Sequence, residues 1–114
     1  MVREKREGQV VMIGSYASLR PAPSQAVYAA SKAALAGLVK SLAREWGKDG
    51  IRVNLVLPGF MLTEMTAVLR DSVKEAALSR HVLNRLNTPE QAAALQDVLT
   101  AASGQVFDLD SRIV

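Results

Sequence analysis

The chain has 114 residues and a formal net charge of +3, with hydrophobic residues at 49% but aromatics at only 4%. That is the size of one small domain whose interior Ala, Leu and Val must fill. The absence of cysteine excludes a disulfide framework and a thiolate metal site. Basic residues alternate with acids, as in Arg3-Glu4-Lys5-Arg6-Glu7 and Arg44-Glu45. No basic stripe of the kind that marks nucleic-acid binding is therefore expected.

Residues 1–8 read as a charged tail of helix or loop, broken at Gly8. The apolar stretch behind them is too short for a signal peptide, and no run of about 18 apolar residues predicts a membrane span. A cytoplasmic, membrane-free protein is the expectation. Residues 9–14 form the first predicted strand, and their unbroken apolar character suggests burial on both faces, as in a parallel sheet. Ser15 closes the strand, and a loop over 16–23 with Pro21 and Pro23 leads to a helix from about 25 to 48 that Ser24 can cap.

The apolar positions of that helix, Ala26, Val27, Ala30, Ala33, Ala34, Leu38, Leu42 and Trp46, keep close to a 3.6 period. Small residues over its first half permit close approach to a sheet, a ligand or another helix. Gly47 and Gly50 end it. Ile51–Leu57 is the second strand, closed by Pro58-Gly59, so the order reads as a right-handed βαβ unit. Residues 64–86 predict one or two amphipathic helices with Asn87 as a break. Thr88-Pro89-Glu90-Gln91 is a capping box with proline at the first helical position, opening a helix to about Ala101. Ser103-Gly104 turn the chain into a third strand over 105–109. The fold class is α/β, three parallel strands flanked by helices.

Tyr28 and Lys32 stand four apart, so one helix face presents a phenol and an ammonium together. Ser15 precedes Tyr28 by thirteen residues, at the strand end. A tyrosine ordinarily titrates near pH 10, and a neighbouring ammonium favours the phenolate and lowers that value. Each residue also has a structural reading: an ordinary helix-face pair for Tyr28 and Lys32, a turn-satisfying serine for Ser15. Asn54 either fixes a loop near the site or simply packs. His81, the single histidine, has no metal partner at suitable spacing and reads as a surface residue on a polar helix; no metal site is expected.

With these residues in hand, the chain resembles the short-chain dehydrogenase/reductase family. The resemblance rests on the Ile13-Gly14-Ser15 strand end, Tyr28-Ala-Ala-Ser-Lys32, Ser41-Leu-Ala-Arg-Glu45, Gly50-Ile-Arg-Val-Asn54, Pro58-Gly59-Phe60 and Thr63-Glu64-Met65. Within the family the run is similar to that of the 3-oxoacyl-[acyl-carrier-protein] reductases. The resemblance implies an NAD(P)-dependent oxidoreductase that reduces a carbonyl to an alcohol, with a 3-oxoacyl thioester or similar ketone as substrate, free or held on an acyl carrier. It implies Tyr28 as acid/base, Lys32 lowering its pKa and bonding the nicotinamide ribose, and Ser15 on the substrate oxygen. It implies cofactor contacts at Tyr28 as well, and at Pro58, Gly59, Met61 and Thr63, whose alternative reading is a turn followed by an N-cap threonine. It also implies oligomers that pair the helix carrying Tyr28.

The departures from the family pattern matter as much. No Gly-x-x-x-Gly-x-Gly occurs, and the Asn-Asn-Ala-Gly stretch is missing, so residues 1–114 resemble the C-terminal, catalytic half of a Rossmann-like doubly wound sheet. Where the family often has Val-Asp-Gly-Gly, this chain has Leu109-Asp110-Ser111-Arg112. NAD and NADP are both open, because the residues that choose lie in the missing half. The alternative expectation is a truncated, inactive fragment that acts only by association, through a first strand whose apolar edge lacks its inner neighbour.

Overall fold

The computed structural model describes residues 3–4 and 6–112; Met1, Val2 and Lys5 of the charged segment 1–8, together with Ile113 and Val114, lie outside the described residues. Three strands, β1 (Gly8–Ile13), β2 (Ile51–Leu57) and β3 (Val106–Asp108), form one parallel sheet in the order β1-β2-β3. A long helix, α1 (Ala26–Trp46), connects the first two strands, and three short helices follow: α2 (Glu64–Ala67), α3 (Asp71–Ser79) and α4 (Pro89–Ala94). The α/β class and the parallel sheet are as the sequence leads one to expect.

The core is centred on β2. Ile51, Val53, Leu55 and Leu57 alternate along the strand toward α1, where Val39 is fully buried among them. Leu35, Ala36, Leu42, Ala43 and Trp46 complete this layer from the helix. Asn54 is buried without exposure: its Nδ2 donates to the Ala102 carbonyl at 2.8 Å and its Oδ1 accepts from the Gln105 amide at 3.1 Å. Asn54 does fix a loop, but the one it pins is the segment that feeds the amino end of β3, not one at the carboxyl ends of the strands. Ser103 adds a third tie, its hydroxyl accepting from the Val53 amide at 3.1 Å.

Several boundaries differ from the sequence expectation, each for a physical reason. β1 is not buried on both faces: its residues are half-buried, Ile13 is 53% exposed, and among the described residues no strand lies beyond it. A continuous apolar run fits a central strand, but here only β2 has neighbours on both sides. Ser24 does not cap α1. It sits in the left-handed region at φ 69°, and Gln25 precedes the helix, its Oε1 accepting from the Ala22 amide at 2.8 Å. The helix stops at Trp46, and a 3₁₀ turn over Gly47–Asp49 carries the chain to Gly50.

The 64–86 stretch breaks into α2 and α3, and the 88–101 helix regularises only over Pro89–Ala94 before tightening to a 3₁₀ turn, Leu95–Val98. Its capping box is present as read, between Thr88 and Gln91. The radius of gyration is 15.8 Å, against about 13 Å for a compact chain of this length. One central strand cannot draw in so many flanking pieces, and Val27, Met65 and Val68 stay more than four-fifths exposed.

Candidate active site at the carboxyl ends of the strands

Gly14 continues β1 by one rung, its amide donating to the Val56 carbonyl at 2.8 Å. A Cβ there would meet Leu57 Cδ2 at 2.4 Å, so only a bare backbone passes this close to the core. The next residue, Ser15, leaves the sheet at its carboxyl edge, where ligands of open α/β sheets bind. Its Oγ accepts from the Ala17 amide at 3.2 Å, opening a 3₁₀ turn over Tyr16–Ser18, and its carbonyl accepts from Ser18 Oγ at 2.6 Å. The turn-satisfying role of Ser15 is therefore real and coexists with its position.

Ser15 and Tyr28 line one cavity of about 590 Å³, together with Tyr16, Gly59, Phe60 and Arg112. Tyr28 is 49% exposed and faces it from the first turns of α1. Lys32, one turn on, does not line the cavity; its Nζ donates to the Ile13 carbonyl at 3.2 Å. The ammonium is thereby tied to the strand end that presents Ser15. The end of β1 and the start of α1 thus bring hydroxyl, phenol and amine to one edge of the sheet.

Of the six expected cofactor contacts, Tyr28 and Gly59 line this cavity. Pro58 and Met61 line a separate apolar groove of about 320 Å³ between β1, β2 and α4, together with Val11, Ile13 and Val56. Met61 pairs with Asn87 in a short parallel bridge, and its carbonyl accepts from Thr66 Oγ1 at 2.7 Å. Thr63 caps α2 in a reciprocal box with Thr66. The structural reading of Thr63 is realised, and its side chain lines neither cavity.

The strongest polar cluster was not anticipated. His81 is 6% exposed, not on the surface: its Nδ1 lies 2.7 Å from the Ala77 carbonyl and its Nε2 lies 3.0 Å from Asp110 Oδ1. The reason is that α3 ends at Ser79, so His81 turns inward with the chain instead of continuing a polar helix face. Asp110 also takes the Arg112 amide and Nε at 2.8 Å, with Nη2 on its other oxygen. Burial pushes the Asp110 carboxyl up, but the Arg112 hydrogen bonds and the charges of Arg112 and His81 outweigh it and hold the group below its ordinary range. Arg112 lies over the Tyr16 ring at 3.5 Å, a cation–π contact that stiffens the cavity wall.

Gly59 completes the arrangement. Its φ is +78°, and a Cβ would stand 2.4 Å from Asp110 Oδ2. The bare turn lets the tail carboxylate lie against the Pro58-Gly59 backbone. The only sequence signal for this cluster is the departure at Ser111-Arg112, which stand where the family often has Gly-Gly.

A profile of the family described as enoyl-(acyl carrier protein) reductase matches residues 1–107. The 3-oxoacyl-[acyl-carrier-protein] reductase FabG of Thermotoga maritima is 38% identical over 116 residues, covering 97% of this chain and 47% of that protein. Two solved structures superpose closely. One, from Beutenbergia cavernae, is assigned as an NAD(P)-dependent gluconate 5-dehydrogenase with NADP bound at low occupancy (TM-score 0.82, 35% identity, 97% of this chain, 47% of that one). The other is a 4-hydroxyisoleucine dehydrogenase complexed with NADH (TM-score 0.83, 31% identity, 96% of this chain, 48% of that one). The chain spans about half the length of each of these relatives.

Proposed function

The chain belongs to the short-chain dehydrogenase/reductase family, and on that premise we propose that it forms the catalytic half of an NAD(P)-dependent oxidoreductase. The proposed reaction reduces a carbonyl to an alcohol, with a 3-oxoacyl thioester or similar ketone, free or carrier-bound, as substrate. The observation that carries this reading is the joint lining of one cavity by Ser15 and Tyr28, with Lys32 anchored one turn away on the Ile13 carbonyl.

In this reading the Ser15 hydroxyl donates to the substrate oxygen, where negative charge grows in the transition state. Tyr28 Oη gives its proton to that oxygen as the C–O double bond becomes single, leaving a phenolate that the solvent reprotonates. Lys32 places a positive charge on the same helix face and favours that phenolate. A nicotinamide cofactor, when bound, supplies the hydride to the carbonyl carbon.

The residues present fit one end of such a cofactor. Pro58 and Met61 line the apolar groove beside β1 and β2, whose volume of about 320 Å³ has room for a flat ring. Pro58, Gly59, Met61, Thr63 and Lys32 are the residues proposed to hold that end. Nothing equivalent to a Gly-rich pyrophosphate turn occurs in residues 1–114, so the other end falls to a second half. A cytoplasmic setting accords with this chemistry; among the described residues no helix is long and apolar enough to cross a membrane.

The test is to join the chain to the amino-terminal half of the Thermotoga maritima relative and follow NADPH and NADH consumption with an acetoacetyl thioester. Cofactor-dependent formation of the 3-hydroxy product supports the reading. A folded hybrid that binds cofactor yet reduces no carbonyl contradicts it. A second reading, a chain that acts only by association, is favoured by the open edge of β1 among the described residues.

A further inference from the structure

The wall of the Tyr28 cavity carries three guanidiniums, those of Arg20, Arg80 and Arg112, and no aspartate or glutamate side chain lines it. Arg80 and Arg112 also line an adjoining cavity of about 460 Å³, again without a carboxylate. With the Arg112 charge shared with Asp110, the guanidiniums of Arg20 and Arg80 leave a net positive potential focused into the concavity. Among the described residues, neither Arg20 nor Arg80 pairs with a carboxylate. Arg112 does, but Asp110 takes only its Nε and Nη2 sides; Nη1 has no acceptor among the described residues.

Arg112 is also the most rigid of the three. Its side chain is 11% exposed, gripped by Asp110 on one edge and stacked on Tyr16. A guanidinium held in this way loses little freedom when it receives an anion, and its planar fork suits carboxylate and phosphate oxygens. Bare structural need does not account for Arg20 and Arg80, which are exposed and make no ion pair, yet converge on the cavity that holds Ser15 and Tyr28.

We propose that the carbonyl substrate carries an anionic group, a carboxylate or a phosphate, which Arg112, Arg80 and Arg20 receive while its carbonyl meets Ser15 and Tyr28. This rests on the carbonyl-reducing reading above. The cavity volume of about 590 Å³ lies within the range of small-molecule sites. It suits a short oxo acid directly, or the phosphate-bearing arm of a larger carrier.

The test is a ¹⁵N-resolved NMR titration of the chain, at low salt, with acetoacetate, its neutral methyl ester and acetoacetyl-4′-phosphopantetheine. At least one anionic probe is expected to bind about tenfold or more tightly than the ester and to shift the amides of Ser15, Tyr28 and Gly59. That probe should lose about tenfold in affinity in an Arg20→Gln/Arg80→Gln double variant, the scale of one charged hydrogen bond. Both positions are exposed, so this variant keeps its fold; Arg112→Gln alone would strip the buried Asp110 of its main partner. Arg44→Gln, on the far part of α1, should bind like the parent. Arginine-dependent binding of acetoacetate assigns the anion to the substrate itself; that of the phosphopantetheine thioester alone assigns it to a carrier phosphate. An ester that binds as tightly as the anions, or a double variant with undiminished affinity, overturns the inference and leaves carbonyl recognition standing. If no probe moves Ser15 or Tyr28, the carbonyl-reducing reading fails, and this inference with it.

Discussion

Gly59→Ala separates two jobs that one glycine does. The residue has φ +78°, and its missing Cβ leaves room for Asp110, whose Oδ2, Cγ and Cβ would lie 2.4, 2.8 and 3.0 Å from an added methyl. The left-handed conformation costs an L-residue about 1–2 kcal/mol. The clash is harder to relieve, because Asp110 is held by both His81 and Arg112 and its side chain has no exposed surface. Moving it breaks at least one charge-assisted hydrogen bond, about 1.5–3 kcal/mol. The sum is about 2.5–5 kcal/mol, a large share of the roughly 5–15 kcal/mol that holds an ordinary domain together. Gly37→Ala is the matched control, since nothing lies within 4 Å of its Cβ position and it sits inside α1. There the helix gains about 0.5–1 kcal/mol. Urea unfolding followed by circular dichroism should lower the midpoint for Gly59→Ala by about 1 M or more and raise it slightly for Gly37→Ala. A Gly59→Ala midpoint within error of the parent would refute the claim that the tail carboxylate is locked against this turn.

Further expectations follow from the same geometry. The chain alone should bind NADPH weakly or not at all, because it lacks a Gly-rich turn and the helix N-terminus behind it; low-micromolar affinity by calorimetry would contradict this. It should self-associate through the open edge of β1 and the small-residue face of α1, and do so at high salt, since screening acts on charges and these surfaces are apolar. Val11→Lys and Ala33→Arg should each reduce association, and a monodisperse 12.3 kDa species in light scattering of the parent would refute it. Despite burial, the Arg112 and His81 contacts hold the Asp110 carboxyl below its ordinary range in the fold, so it stabilises the fold above its unfolded pKa, and that contribution is lost as pH falls through the lower, folded value. The melting temperature should therefore drop below roughly pH 4, and should drop less steeply in Asp110→Asn; parallel profiles would remove Asp110 from the account.

The strands and the βαβ order could be read from the sequence because their signals are local: apolar runs ended by Gly14-Ser15 and by Pro58-Gly59. The capping box at Thr88 was legible for the same reason. What escaped was non-local. Whether β1 is central or marginal depends on a neighbour that no property of its own residues encodes. His81 looks like a surface residue in any helical wheel, and only the end of α3 at Ser79 turns it toward Asp110, 29 positions downstream. Ser15 and Tyr28 were paired through a family pattern, and the fold does bring them to one cavity. Pro58, Met61 and Thr63 came from the same pattern, yet they lie off that cavity. Arg112 was visible only as a departure from the pattern, and its stacking on Tyr16 required the sheet to bring the tail back across the first turn.

The central claim is that Tyr28 is the proton donor of a carbonyl reduction, and one substitution tests it most directly. Tyr28→Phe removes a single hydroxyl from a residue that is 49% exposed and makes no side-chain hydrogen bond among the described residues, so the fold has nothing to lose. In the chain joined to a cofactor-binding half, kcat for the acetoacetyl thioester should fall about 10²–10⁴-fold, with the melting temperature and cofactor affinity near the parent values. A Phe variant that keeps more than about half of the parent rate would make Tyr28 a structural residue and contradict the account.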